Sequence, residues 1–233
     1  MNLRTCFLGL MALAFVTATH ADIVSLTPAE INQGDTNTAN YTDSFLTLTP
    51  FLGGVADTFS ANAGRLGMDS AGSNVGAFND LDTTVGNADD ESLGFVFAAG
   101  AGLSTISYDF SRADGPGPND GVVISGFVSD PGVSFSVSNV NLFAVYDAGS
   151  GSVRLNIPGS LFNGTDVFVN FNANASNGQS LLMTVNDTTQ AGAQFAILGI
   201  GYTTAVPEPS TCSVLAFAAV ALAGRRKRLI KAS

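Results

Sequence analysis

The residues best suited to chemistry in this chain are carboxylates, gathered in two short stretches rich in glycine and asparagine. Asp80, Asp82, Asp89, Asp90 and Glu91 fall close together, and a second run reads Asp114-Gly115-Pro116-Gly117-Pro118-Asn119-Asp120-Gly121. Carboxylates and amide carbonyls at short spacing are the ligand set that Ca²⁺ takes, and extracellular calcium is abundant enough to fill weak sites. Asp114 and Asp120, followed by Asp89 and Asp90, are therefore the expected calcium ligands. Their spacing matches neither an EF-hand nor a glycine-aspartate nonapeptide repeat. The same residues serve equally as solvated acidic turns that keep a surface soluble and blunt exposed sheet edges.

Paired carboxylates also hydrolyse glycosides, but they must face each other across a cleft, one of them with a raised pKa. Between the two chain ends only Glu30 and Glu91 are glutamates. A secreted glycan-active hydrolase using Asp and Glu is the alternative reading. Sugar stacking needs aromatic faces, and the chain has no Trp; Tyr41, Tyr108, Tyr146 and Tyr202 are the rings on offer. Each also fits the ordinary role of a partly buried ring with its hydroxyl bonded.

Other chemistries are removed by counting. The two cysteines, Cys6 and Cys212, lie in the two apolar ends, and the single histidine, His20, lies beside the first of them. The stretch between the ends thus has neither residue. Cys-His and Ser-His-Asp nucleophiles are excluded there, as are Cys- or His-based zinc, copper and haem sites. Charge narrows the partners further. The chain carries nine Lys and Arg against nineteen Asp and Glu, a net charge of −10, and only Arg65, Arg112 and Arg154 are basic between the ends. Such a surface repels phosphate backbones, so no nucleic acid is expected as a partner.

The elements that would hold these residues are strands. Short runs of Val, Ile, Leu and Phe bounded by turn residues occur at 93–98, 103–110, 122–128, 133–137, 140–147, 153–157, 167–171, 181–185 and 194–202. Val167, Val169 and Phe171 alternate with polar neighbours, the period of a half-buried strand. Asp130-Pro131-Gly132, Asn163-Gly164 and Asn177-Gly178 are turn sequences with a mechanism, supplying fixed or positive φ. Residues 32–90 have fewer apolar anchors and predict two or three edge strands joined by long loops. The only helical signal is a short one near Thr27 to Ile31. Many short strands without intervening helices predict an all-β, antiparallel β-sandwich of jelly-roll type, with a core mainly of Phe and Val. No constant-period repeat supports a β-solenoid.

The ends give the chain its organisation. Arg4, an apolar run from Cys6 to Ala18 and small residues up to Ala21 have the form of a cleaved signal peptide over 1–21, which leaves a body at 22–205. The last residues, 206–233, hold three pieces in order. Pro207-Glu208-Pro209 is stiff and extended, because proline fixes φ and restrains its predecessor. An uncharged apolar run follows at 211–224, then the basic cluster Arg225-Arg226-Lys227-Arg228, which would stay on the cytoplasmic side as a stop-transfer signal.

This tail resembles the PEP-CTERM sorting signal of exported bacterial proteins. The resemblance is confined to the tail and rests on all three pieces occurring together. It implies recognition of Pro207, Glu208 and Pro209 by an exosortase, a membrane-embedded cysteine enzyme. It also implies a membrane-anchored precursor with 211–224 as transmembrane helix, and a final place at the cell surface, in the outer envelope or in the extracellular matrix, where polysaccharide is a partner. An ordinary C-terminal anchor is the simpler alternative, although the run is short for a span. The expectation is a non-enzymatic structural or polysaccharide-associated protein. An adhesin or ice-binding-type surface protein ranks third, since Thr83-Thr84, Thr188-Thr189 and Thr203-Thr204 are scattered pairs and form no ladder.

Overall fold

The computed structural model describes residues 20–32, 38–62, 64–68, 81–83, 91–109, 121–136, 142–156, 166–186 and 193–206. Ile23–Thr204 forms one compact unit. The apolar runs expected at 6–18 and 211–224 lie outside the described residues, among which no helix is long and apolar enough to cross a membrane.

Two antiparallel sheets, built from sixteen described strands, make the unit. The strands are β1 (His20–Leu26), β2 (Tyr41–Thr42), β3 (Leu46–Leu52), β4 (Val55–Ala56), β5 (Phe59–Asn62), β6 (Arg65–Met68), β7 (Leu81–Thr83), β8 (Glu91–Phe97), β9 (Ala101–Asp109), β10 (Gly121–Ser125), β11 (Ser134–Phe135), β12 (Phe143–Asp147), β13 (Ser152–Asn156), β14 (Asp166–Asn170), β15 (Ser180–Asn186) and β16 (Ala193–Val206). The first sheet has the order β11-β14-β9-β16-β6-β5, with β1 and β7 also on β16. The second has the order β12-β13-β10-β15-β8-β3-β2, with β4 also on β3. One apolar core takes side chains from both sheets: Leu103, Ile106, Val169 and Ile200 from the first, Leu48, Phe95, Ile124 and Met183 from the second. Tyr108 on β9 crosses the interior, its hydroxyl 3.2 Å from Met183 Sδ on β15, and its ring meets Phe195 edge-on with centroids 5.4 Å apart. Leucine and isoleucine carry as much of this core as phenylalanine and valine do.

Each of the nine strands read from the sequence is present. The differences lie at their ends and have local causes. β10 stops at Ser125 because Gly126 turns to φ +101°, and the N–H groups of Gly126 and Phe127 both donate to the Gly151 carbonyl at 3.1 and 2.9 Å. The weak helical signal is a single turn, α1 (Pro28–Ile31), closed by a capping box: Thr27 Oγ1 accepts from Glu30 N–H while Glu30 Oε2 accepts from Thr27 N–H.

The stretch read as edge strands and long loops differs more. It holds six strands, β2 to β7, and β3 is interior to its sheet. It pairs with β8 from Leu46↔Phe97 to Leu52↔Glu91, and with β2 and β4 on its other side. Leu46 and Leu48 are buried, alternating with the half-buried Thr47 and Thr49. Pro50 argues against an interior strand because it has no N–H for the ladder. Here its carbonyl accepts from Asp57 N–H at 2.9 Å, so its nitrogen also faces away from β8, and the β3–β8 ladder loses no bond to the missing N–H.

Candidate functional site

Asp89, Asp90, Asp114 and Asp120 lie outside the described residues, as do Pro207, Glu208, Pro209 and Arg225, Arg226, Lys227 and Arg228. Among the described residues no three His, Cys, Asp or Glu side chains are grouped to hold a metal. What the fold does fix is where the two acidic stretches are rooted. β8 and β9 are joined by a tight turn, with Ala101 N–H donating to the Ala98 carbonyl at 3.0 Å, so the start of β8 at Glu91 and the end of β9 at Asp109 share the far end of the unit. Both residues are buried, at 1 % and 8 % exposure. Asp109 stands opposite Asp166 in register and is ion-paired to Arg65 of β6, which offsets the like charge.

The two glutamates between the chain ends differ in setting. Glu30 is held by Thr27, whose backbone N–H and hydroxyl keep its pKa below the ordinary carboxylate value, the opposite of what a general acid needs. Glu91 is buried at the head of β8.

The tyrosines divide. Tyr108 is fully buried, and burial pushes its pKa up. Tyr202 is 2 % exposed and Tyr41 half-buried, and both hydroxyls donate to one oxygen of Asp43, at 2.5 and 2.8 Å. The other oxygen of Asp43 accepts the N–H groups of Phe45 and Leu46 at 2.7 and 2.8 Å. Burial alone would raise the Asp43 pKa; the bonds from Tyr202, Phe45, Tyr41 and Leu46 outweigh it and hold the carboxyl below its usual range. Burial, then the bond to Asp43 and its charge, push Tyr41 up to about 12, and Tyr202 is raised for the same reasons. This junction ties the β2–β3 turn of one sheet to β16 of the other. The Tyr202 ring is buried and presents no open face to a sugar.

A groove lies on the outer face of the second sheet, with a volume of about 300 Å³. Strand alternation builds it. Leu93, Phe95 and Phe97 point into the core, so Ser92, Gly94 and Val96 point out; the same parity turns Thr49 and Phe51 outward on β3, Ser180 and Leu182 on β15, and Ser125 on β10. Register aligns Thr49, Gly94, Leu182 and Ser125 in a row across four strands. Gly94 makes the floor: a Cβ there would come within 2.8 Å of Phe51 Cε2. Sequence reading missed both the Asp43 junction and this groove. Asp43 followed by Ser44 and Phe45 is a recognisable turn sequence, but its tyrosine partners and the Phe51–Gly94 contact depend on strand register.

No family model and no curated protein matches the chain. Among solved structures it pairs with one titled "Crystal structure of the RrgA Jo.In complex" at 11% identity, covering 80% of this chain and 94% of that one. The TM-score is 0.15, too low to carry an argument.

Proposed function

We propose that this is an exported surface or matrix protein whose tail is handed to an exosortase-type membrane enzyme. Its body is a jelly-roll-like sandwich that acts by association with extracellular polysaccharide and catalyses nothing. One observation carries the reading: Pro207-Glu208-Pro209, the uncharged run 211–224 and Arg225-Arg226-Lys227-Arg228 stand in that order at the C-terminus, opposite an N-terminal segment of signal-peptide form. Structural roles of three described carboxylates support the second half. Glu30 caps a helix, Asp43 ties two tyrosines and a turn, and Asp109 neutralises Arg65. Calcium at Asp114, Asp120, Asp89 and Asp90 stays a subsidiary proposal on ligand chemistry alone.

Terminal peptide mapping and intact mass of the protein from its host, fraction by fraction, test the sorting claim. Loss of the N-terminal segment together with truncation near Pro209 is the expected result. Replacing Pro207, Glu208 and Pro209 together by Ala should hold the precursor in the inner membrane with its tail attached. Normal release of that variant would reduce the tail to a simple anchor.

A further inference from the structure

The outer face of the second sheet differs in charge from the rest of the chain. Its outward positions on the described central strands are Thr47, Thr49 and Phe51 on β3, Ser92, Gly94 and Val96 on β8, and Ser180, Leu182 and Thr184 on β15. They continue with Val123 and Ser125 on β10 and Ser152, Arg154 and Asn156 on β13. None is a carboxylate, in a protein with nineteen acids and a net charge of −10. Asp147, on the neighbouring edge strand β12, turns one oxygen to Gly149 N–H and the other to the Ser150 hydroxyl.

The one charge on these positions is Arg154. It stands between Val123 and Val145 in register, and its Nε is buried with no hydrogen-bond partner. The other arginine of the described residues, Arg65, is paired with Asp109. Arg154 Nε itself is out of reach of a ligand from solvent; the terminal nitrogens of this half-buried guanidinium carry the rest of its donor fork and are the ones suited to a carboxylate brought from outside. The groove beside it combines hydroxyls from Thr49, Ser125 and Ser180 with apolar contact from Phe51, Val96 and Leu182, the last two 52% and 40% exposed. Hydroxyls beside apolar and aromatic faces match a sugar ring, which is polar at its edge and apolar on its faces. Four strands at ~4.8 Å spacing give the row a length of roughly 14 Å, room for a short run of rings.

From this we infer that the outer face of β3, β8, β15, β10 and β13 is a docking surface for an anionic polysaccharide. Arg154 meets a uronate carboxylate, and the Thr49–Gly94–Leu182–Ser125 row cradles neighbouring rings. The acids elsewhere repel such a polymer, and the acid-free face is where it can approach. The inference rests on the polysaccharide association proposed above and names its site and its charge.

The test is calorimetric titration of the full chain in detergent with oligogalacturonate, and with a neutral gluco-oligosaccharide of equal length as comparator. Oligogalacturonate should bind more tightly than the neutral oligosaccharide. Arg154→Gln should weaken it about tenfold, the loss of a charge-assisted contact. Ser125→Asp should weaken it at least as much by repulsion, while its melting temperature confirms that the sheet is intact. Tighter binding of the neutral oligosaccharide, unmoved by Arg154→Gln, would overturn the inference and leave polysaccharide association standing. Equal binding by parent and both variants would place the polymer on another surface and also overturn it. No binding of either sugar would sink the association and this site together, while the sorting claim stands or falls by its own terminal mapping.

Discussion

Tyr202→Phe removes one hydroxyl and keeps the ring, and so isolates the bond that joins the two sheets at Asp43. That hydroxyl lies 2.5 Å from a carboxylate oxygen and reaches a residue 159 positions away in the chain. A hydrogen bond to a charged acceptor contributes about 1.5–3 kcal/mol. Asp43 is only half-buried and keeps its bonds from Tyr41, Phe45 and Leu46, so solvent screening brings the expected loss to about 1–2 kcal/mol. For a unit of the size of Ile23–Thr204 that corresponds to a fall in Tm of about 3–6 °C. Thermal melts followed by circular dichroism near neutral pH read it directly.

The pH dependence adds a second arm. Asp43 has a folded pKa below its unfolded value, so its contribution is complete above the unfolded pKa of about 3.9 and is lost as pH falls through the folded one. The gap between parent and Tyr202→Phe should therefore narrow in acid, where a neutral carboxyl accepts a weaker bond. On the alkaline side the unfolded chain releases a tyrosine proton near its ordinary value while Tyr41 holds its own up to about 12. Stability then falls across that interval, and Tyr41→Phe should flatten the fall. A Tyr202→Phe variant that melts within about 1 °C of the parent, or a gap of equal size in acid and at neutrality, would refute the assignment of Asp43 as a charged tie.

Asp109→Asn should destabilise by about 3 kcal/mol, because it leaves the Arg65 guanidinium without its carboxylate at a largely buried site; denaturant titration would show the midpoint moving with an unchanged slope. Gly102→Ala should be far worse than Gly94→Ala: its Cβ would drive into the backbone carbonyl of Ala173, whereas at Gly94 it meets only the rim of the Phe51 ring, which can swing away. Comparing the soluble yield and melts of the two variants checks that order. A chain ending at Val206 should melt within about 1 °C of the precursor, since the described ladder of β16 is complete at that point; a large loss would show that the tail contributes to the fold.

Much of the fold was legible because strands carry a period of two. Val167 and Val169 are buried between exposed neighbours, and each run from residue 93 onward became a strand. β3 was harder, since Pro50 interrupts a run whose Leu46-Thr47-Leu48-Thr49 alternation is otherwise clear, and only the local pairing shows that its nitrogen is turned away from β8. The site was far less legible than the fold. Gly94 reads as a weak point in a strand, Phe51 as one more apolar residue and Arg154 as a stray charge. Their shared face depends on the register of five strands, and register couples positions as distant as Thr49 and Leu182. The acidic stretches drew attention because neighbouring carboxylates can be counted in a line of text, whereas an acid-free face is visible only once strands lie side by side.

The place of β16 connects the two halves of the reading. It is no terminal edge strand: within its sheet it lies between β9 and β6, and pairs with β9 from Ala196↔Asp109 to Thr204↔Ala101. Two register shifts, at Ile197/Gly199 and Gly201/Tyr202, fall at glycines, where a bulge needs little side-chain room. The strand runs to Val206, one peptide bond before Pro207. Proline has no N–H to continue a ladder, and it favours an extended residue before it, so sequence marks the same boundary at which the strand ends. A cut near Pro209 would therefore remove no residue of β16, whose ladder carries Tyr202 to Asp43 and Ile200 into the core. On the proposed reading, sorting chemistry at the tail would leave every residue of the β16 ladder in place.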